Sequence, residues 1–191
     1  VNNGTTWSLV YRESVDNQPP SETNLSNAFS IYTGSLTDIT KQATAPNVVL
    51  LPNGKYRLYY TYDNNSYLQL VYRDTVDANF PSPLNLDYMH YLNIGTGLLD
   101  KAANPYVLKL ANNKYRIYYS YFNGSYWQLA YRDTTNTTPP TDPLMGKNLG
   151  DQNILLGTSL GNQAYGRIVI VRLANDTYRL YYNYNTGTNW K

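Results

Sequence analysis

Cysteine is absent from this 191-residue chain, and histidine occurs once, at His90. The first absence excludes disulfides, thiolate metal sites, iron–sulfur clusters and a thiol nucleophile. The second excludes a multi-histidine metal centre within one chain and leaves a Ser-His-Asp triad one candidate base. Charge is scarce, at 15% of residues, against roughly 25% in typical soluble domains. With 15 Lys and Arg against 13 Asp and Glu, the net charge is +2, which carries no footprint for nucleic acid or an anionic membrane. The longest apolar runs, Val48–Leu51 and Ile168–Val171, fall far short of the ~20 residues that span a bilayer. No segment reads as a signal peptide, and the start at Val1 rather than Met suggests a processed or trimmed chain. No Gly-rich loop opens a helix to hold a phosphate, so no cofactor is expected. Nor does any stretch sustain the i, i+3, i+4, i+7 apolar spacing of a helix.

What the chain has in abundance is tyrosine: 22 residues, with 3 Trp and 3 Phe beside them. Tyrosine favours strands and tolerates a half-buried place with its hydroxyl wet. The tyrosines recur in register. Lys55-Tyr-Arg-Leu-Tyr-Tyr-Thr-Tyr62, Lys114-Tyr-Arg-Ile-Tyr-Tyr-Ser-Tyr121 and Thr177-Tyr-Arg-Leu-Tyr-Tyr-Asn-Tyr184 are versions of one strand. Each follows an apolar strand (47–51, 106–110 and 168–173) and a turn: Pro52-Asn-Gly54, Ala111-Asn-Asn113 or Ala174-Asn-Asp176. A third strand follows in the first two, Leu68-Gln-Leu-Val-Tyr-Arg-Asp74 and Trp127-Gln-Leu-Ala-Tyr-Arg-Asp133. A Pro-rich loop then leads to a weaker fourth strand ending near Ile94 or Leu156.

The third copy stops after its tyrosine strand. Its missing continuation has a counterpart at the other end, where Trp7-Ser-Leu-Val-Tyr11-Arg-Glu13 matches Trp127–Asp133 and a fourth strand follows near Tyr32. The expectation is an all-β fold of three roughly sixty-residue, four-stranded, propeller-like repeats. Residues 47–104 and 105–167 are whole repeats. The third is split, with its end in 1–46 and its start in 168–191, all within one domain, 1–191. The aromatic bulk on both faces of the tyrosine strands suits sheets sandwiched between sheets.

The blade pattern, with an inner strand, an Asn53-Gly54 turn, the Tyr-Arg-Leu-Tyr-Tyr strand and the Trp127–Asp133 strand, resembles the β-propeller glycoside hydrolases of the family 43/32 type. That resemblance implies a general base, an Asp near the start of an inner strand, often before Pro. The matching places read Ala45-Pro46-Asn47, Asn104-Pro105-Tyr106 and Gly166-Arg167-Ile168. An amide at Asn104 cannot accept the proton, and hydrolysis needs two acids across one bond. The acids that do recur, Glu13, Asp74 and Asp133, each follow an Arg and read as structural ion pairs. No catalytic or metal-binding residue is therefore assigned. His90 reads as a surface or half-buried strand residue.

Two routes complete the split repeat. The ends of one chain could meet, although propellers typically have four to eight blades and a three-unit trefoil normally has shorter units. Alternatively, one chain donates its strand to the next. The donor would be Trp7, Leu9, Val10 and Tyr11, and the acceptor Tyr178, Leu180, Tyr182 and Tyr184. Such head-to-tail contacts give a ring or a filament. The leading expectation is a non-enzymatic, extracellular or cell-surface structural protein whose partners are copies of itself. Asn3, Asn24, Asn64, Asn123, Asn136 and Asn175 head Asn-x-Ser/Thr sequons, candidates for N-linked glycans, although Asn-rich turns alone would produce several. The alternative is a carbohydrate-binding module or lectin, with Trp7, Tyr67, Tyr126, Trp127 and Trp190 stacking on sugars. A diverged glycosidase is the third reading.

Overall fold

In the computed structural model, the described residues are 9–16, 18–19, 24–31, 42–63, 66, 68–95, 100–141 and 148–185. Among them there is no helix, and the strands form four antiparallel sheets. β1 (Leu9–Tyr11) pairs with β2 (Phe29–Ile31). β3 (Gln42–Leu50), β4 (Tyr56–Asp63), β5 (Leu68–Asp74) and β6 (His90–Tyr91) form a meander in that order. β7 (Lys101–Lys109), β8 (Tyr115–Phe122), β9 (Trp127–Asp133) and β10 (Asn153–Leu156) form a second. β11 (Gln163–Arg172) pairs with β12 (Tyr178–Asn185).

The three hairpins β3–β4, β7–β8 and β11–β12 close by the same turn. Leu51, Leu110 and Leu173 each donate their N–H to the carbonyl of the residue four on, at 2.8 Å. The third turn residue is left-handed each time: Gly54 at φ 80°, Asn113 at 61° and Asp176 at 60°. Gly, Asn and Asp are the residues that tolerate that conformation, which explains this turn chemistry at all three places. β4 and β5 then pair Tyr59 with Tyr72, and β8 and β9 pair Tyr118 with Tyr131, in one shared register.

The inner strands differ from expectation. β3, β7 and β11 begin five residues early, at 42 against 47, 101 against 106 and 163 against 168. Each passes through a bulge at Thr44/Asn47, Ala103/Tyr106 or Tyr165/Val169. Pro46 and Pro105 sit in these bulges, where the missing N–H breaks no ladder bond. Ala45 (φ 53°), Asn104 (57°) and Gly166 (116°) take the left-handed turn there.

The sheets stack in a row with an apolar layer at each junction. Leu9 and Ile31 pack on Ala43, Leu58, Tyr60, Tyr62 and Val71. Tyr59, Leu70, Tyr72 and Leu92 pack on Ala102, Val107, Ile117 and Tyr119. Leu129 packs on Ala164, Ile168 and Ile170. The aromatic strand β4 is therefore buried on both faces along its middle. The two two-stranded sheets stand at opposite ends of the row.

Candidate functional site

Two features concentrate polar chemistry or unsatisfied surface. The first is a cavity of about 230 Å³ where the three bulges converge, lined by Pro46, Asn47, Asn104, Tyr106 and Arg167 among others. Here the structure brings together the three places at which the glycosidase resemblance would put a base. Its described lining holds no carboxylate. The amides are already engaged. Asn47 Oδ1 accepts from the Val107 N–H at 2.9 Å, and Asn104 Nδ2 donates to Ser120 Oγ at 3.3 Å. Their bonds tie adjacent sheets together: the Asn104 N–H donates to Thr61 Oγ1 at 2.8 Å, and the equivalent Gly166 N–H to Ser120 Oγ at 3.2 Å.

The second feature is a pair of open sheet faces, one at each end of the row. Among the described residues β12 pairs only with β11, and β1 only with β2. The consequence is visible in the tyrosines. Tyr60 and Tyr119 are 0% exposed, whereas Tyr182, at the same place in β12, is 38% exposed. At the other end the counterpart is Val48 on β3, 41% exposed, where Val107 and Ile170 are both 7% exposed. Val169, Val171, Tyr178 and Tyr181 are also exposed. Beside Val48 lies a groove of about 770 Å³ running along β1, with Leu9, Tyr11 and Glu13 on one wall and Phe80 and Pro81 on another.

The recurring Arg–carboxylate motif lies at the corresponding place in both meanders. Arg57 bonds Asp74 through Nε and Nη2 at 2.6 and 2.7 Å, and Arg116 bonds Asp133 likewise at 2.6 and 2.8 Å. Each guanidinium also lies over a tyrosine ring, Tyr72 at 4.0 Å and Tyr131 at 4.2 Å. Burial opposes the Arg57 charge, but the Asp74 bonds and field outweigh it and the pKa is raised. At Arg116 the Asp133 hydrogen bond is the leading cause of the same upward shift. Asp74 and Asp133 thus form the Arg–carboxylate pairs that their recurrence suggested. Glu13 and Arg179 hold the equivalent places on β1 and β12, and both are exposed.

Of the predicted donor residues, Leu9 is buried against the first meander, Val10 and Tyr11 are half-buried, and Trp7 lies outside the described residues. Of the acceptors, Leu180 and Tyr184 are half-buried, and Tyr178 and Tyr182 exposed. Among the sugar-stacking candidates, Trp127 packs on Tyr165 at 4.4 Å and Phe122 at 5.4 Å. Tyr126 is half-buried in its turn, and Tyr67 and Trp190 lie outside the described residues. Among the sequons, Asn123, Asn136 and Asn175 are exposed, and Asn3 and Asn64 fall outside the described residues. Asn24 is buried, with Nδ2 donating to Asp16 Oδ1 at 2.8 Å and to the Pro19 carbonyl at 3.1 Å. A glycan on that nitrogen would take the place of one of its two hydrogens and so remove at least one of these bonds. His90, read as a surface or half-buried residue, is buried. It stacks on Tyr72 at 4.7 Å and against Tyr88 at 4.2 Å. Phe29 stacks on Tyr11 in the equivalent place at 5.2 Å, so the imidazole fills an aromatic slot.

The pairing role of Asn24, Asn85 and Asn148 escaped the sequence reading. Each is buried and bonds back into its own Pro-rich loop. The available signal was that an Asn follows each strand-ending Ser14, Thr75 and Thr134 across a Pro-rich loop, ten residues on in the first two and fourteen in the third. Among the described residues, no helix is long and apolar enough to cross a membrane, and no three His, Asp or Glu cluster to hold a metal. No known protein family, curated protein or solved structure matches the chain.

Proposed function

We propose that this chain is a non-enzymatic structural protein built of propeller-like sheets, which associates head to tail by β-strand complementation. The β12 edge of one copy adds beside β1 of the next, rebuilding a four-stranded sheet in the order β11-β12-β1-β2. The observation that carries this reading is the exposure of Tyr182 and Val48, whose equivalents Tyr60, Tyr119, Val107 and Ile170 are buried. In both meanders the strand that covers the tyrosine strand is β5 or β9, and β1 has their sequence. The exposed sequons at Asn123, Asn136 and Asn175 suit a chain that works outside the cell.

Magnitudes set what drives such a contact. Burying the half-exposed Val48, Val169, Val171 and Tyr181 yields roughly 1 kcal/mol each. Association costs about 4–15 kcal/mol in lost freedom. The apolar term therefore roughly cancels the lower end of that cost, and the strand ladder and charge pairing determine affinity. A heterologous contact of this kind closes into a ring or runs on as a filament.

The test is sedimentation velocity over a concentration series, with a Val10→Pro variant alongside. Leu70 exchanges backbone bonds with Leu92 and Ile94 on the β6 side. By alternation, the N–H of Val71, and of its equivalent Val10, points to the opposite edge. Proline at Val10 therefore blocks the open edge and spares β2. Expected are species above 21.8 kDa for the natural chain and monomers for Val10→Pro. A natural chain that stays monomeric throughout contradicts the proposal.

A further inference from the structure

We infer that the groove of about 770 Å³ between β1, β3 and the 76–86 loop is a socket for Arg179 and Tyr181 of a second copy. This rests on the head-to-tail reading and fixes its register and its contacts.

The template is the junction between the two meanders. There the face of β4 that carries Arg57 and Tyr59 looks toward the following sheet. Arg57 Nη1 and the Tyr59 hydroxyl both donate to one acceptor, the Pro140 carbonyl in the loop after β9, each at 2.8 Å. Pro140 follows Thr134 by six residues, and Pro81 follows Thr75 by six. Pro81 is thus the same acceptor one sheet earlier, and it lines the groove. The residues that would reach it from a preceding sheet are the counterparts of Arg57 and Tyr59, namely Arg179 and Tyr181. Both lie exposed on β12.

The register follows from the two observed pairings. Arg57 stands opposite Asp74 and Tyr59 opposite Tyr72; Arg116 stands opposite Asp133 and Tyr118 opposite Tyr131. Transferred to the joint, Arg179 stands opposite Glu13, Tyr181 opposite Tyr11 and Tyr182 opposite Val10. The strand end agrees as well. Thr75 Oγ1 accepts from the Tyr56 N–H at 3.0 Å and donates to the Asp77 carbonyl at 2.6 Å. Thr134 does the same with Tyr115 and Asn136, at 2.9 and 2.7 Å. Ser14 Oγ already donates to the Asp16 carbonyl at 3.0 Å. Its acceptor side is placed for the N–H of Tyr178 of the second copy. Glu13 supplies the carboxylate, Tyr11 the ring under the guanidinium, Pro81 the carbonyl and Val48 the apolar floor. The occupant is therefore a second copy of this chain, because its own β12 carries Arg, Tyr and Tyr at the spacing the socket requires.

The experiment is charge exchange, read as the dissociation constant by sedimentation equilibrium. Arg179→Glu and Glu13→Arg each set like charges across the joint, and each alone should weaken association at least about thirtyfold. Mixed in equal amounts, the two variants should associate again, because the unaltered head of one meets the unaltered tail of the other. Tyr181→Phe, which keeps the ring and deletes the bond to Pro81, should weaken association about fivefold. Circular dichroism melts of the monomeric variants establish that each is folded. If the natural chain associates but both charge variants associate equally well, the socket is wrong and the head-to-tail reading stands. If the natural chain does not associate at all, both fall together.

Discussion

Arg57 and Asp74 face each other across β4 and β5 in a two-pronged bond, and the third nitrogen of Arg57 reaches the Pro140 carbonyl of the neighbouring sheet. One side chain thus joins two strands of its own sheet and the next sheet as well. The equivalent pair Arg116–Asp133 is more open, with side-chain exposures of 28% and 42% against 9% and 25%.

That difference predicts unequal costs for the same substitution. Asp74→Asn leaves a buried guanidinium under-compensated and should lower stability by about 3 kcal/mol. Asp133→Asn acts on a solvent-screened pair and should cost about 1 kcal/mol or less. Urea melts of the two variants at pH 7 measure both, and equal midpoints would contradict this ranking.

Two adjacent tyrosines should respond in opposite ways to loss of their hydroxyls. The Tyr59 hydroxyl donates to Pro140 at 2.8 Å, so Tyr59→Phe should cost about 1 kcal/mol by removing one of the two donors to that carbonyl, which keeps its bond from Arg57. The Tyr60 hydroxyl is buried with no hydrogen-bond partner among the described residues. Tyr60→Phe should leave stability unchanged or raise it by about 1 kcal/mol. Thermal melts compare them, and a loss at Tyr60 as large as at Tyr59 would show that its hydroxyl is bonded after all.

Backbone strain at the first bulge offers a stabilising change. Ala45 holds φ 53° where Gly166 occupies the equivalent bulge of β11. Ala45→Gly removes the Cβ conflict of the left-handed conformation and should raise stability by roughly 1 kcal/mol. A lowered melting temperature would mean that the alanine methyl contributes more by packing than it costs in strain.

High pH should unfold the protein by a route its tyrosines set. Burial pushes the Tyr119 hydroxyl up from 10 to about 12, and it raises Tyr59 and Tyr60 as well. Above pH 10 the unfolded chain releases these protons while the folded chain keeps them, so stability falls as pH rises. For Tyr119 alone the loss is on the order of 3 kcal/mol once pH exceeds its folded value. Denaturant midpoints should hold steady to about pH 9 and decline between 10 and 12. A Tyr119→Phe variant should show a shallower decline.

Much of the strand order could be read directly from the chain because Tyr-Arg-Leu-Tyr-Tyr recurs with its turns, and each turn carries Gly, Asn or Asp where φ is positive. The bulges were hidden for the opposite reason. Pro46 and Pro105 ordinarily end a strand, and nothing local in Ala45-Pro46 announces a left-handed alanine that lets the strand continue. Asn24, Asn85 and Asn148 lie in Pro-rich loops, and only the folded loop shows that their amides fill its interior. His90 is buried although its polarity points to the surface, because its ring occupies the stacking slot that Phe29 fills on β2.

The most direct measurement of strand complementation uses the absence of cysteine. Tyr59 and Tyr72 form a pair flanked by hydrogen-bonded neighbours, the close-approach geometry that a disulfide bridges. Their counterparts at the joint are Tyr181 and Tyr11. A Tyr11→Cys chain mixed with a Tyr181→Cys chain and mildly oxidised should yield a mixed cross-linked dimer in preference to either homodimer, shown by intact mass under non-reducing conditions. A double variant carrying both substitutions should give a ladder of covalent oligomers. If the double variant instead closes only within single chains, or the mixture gives no mixed dimer, β12 and β1 do not meet across molecules.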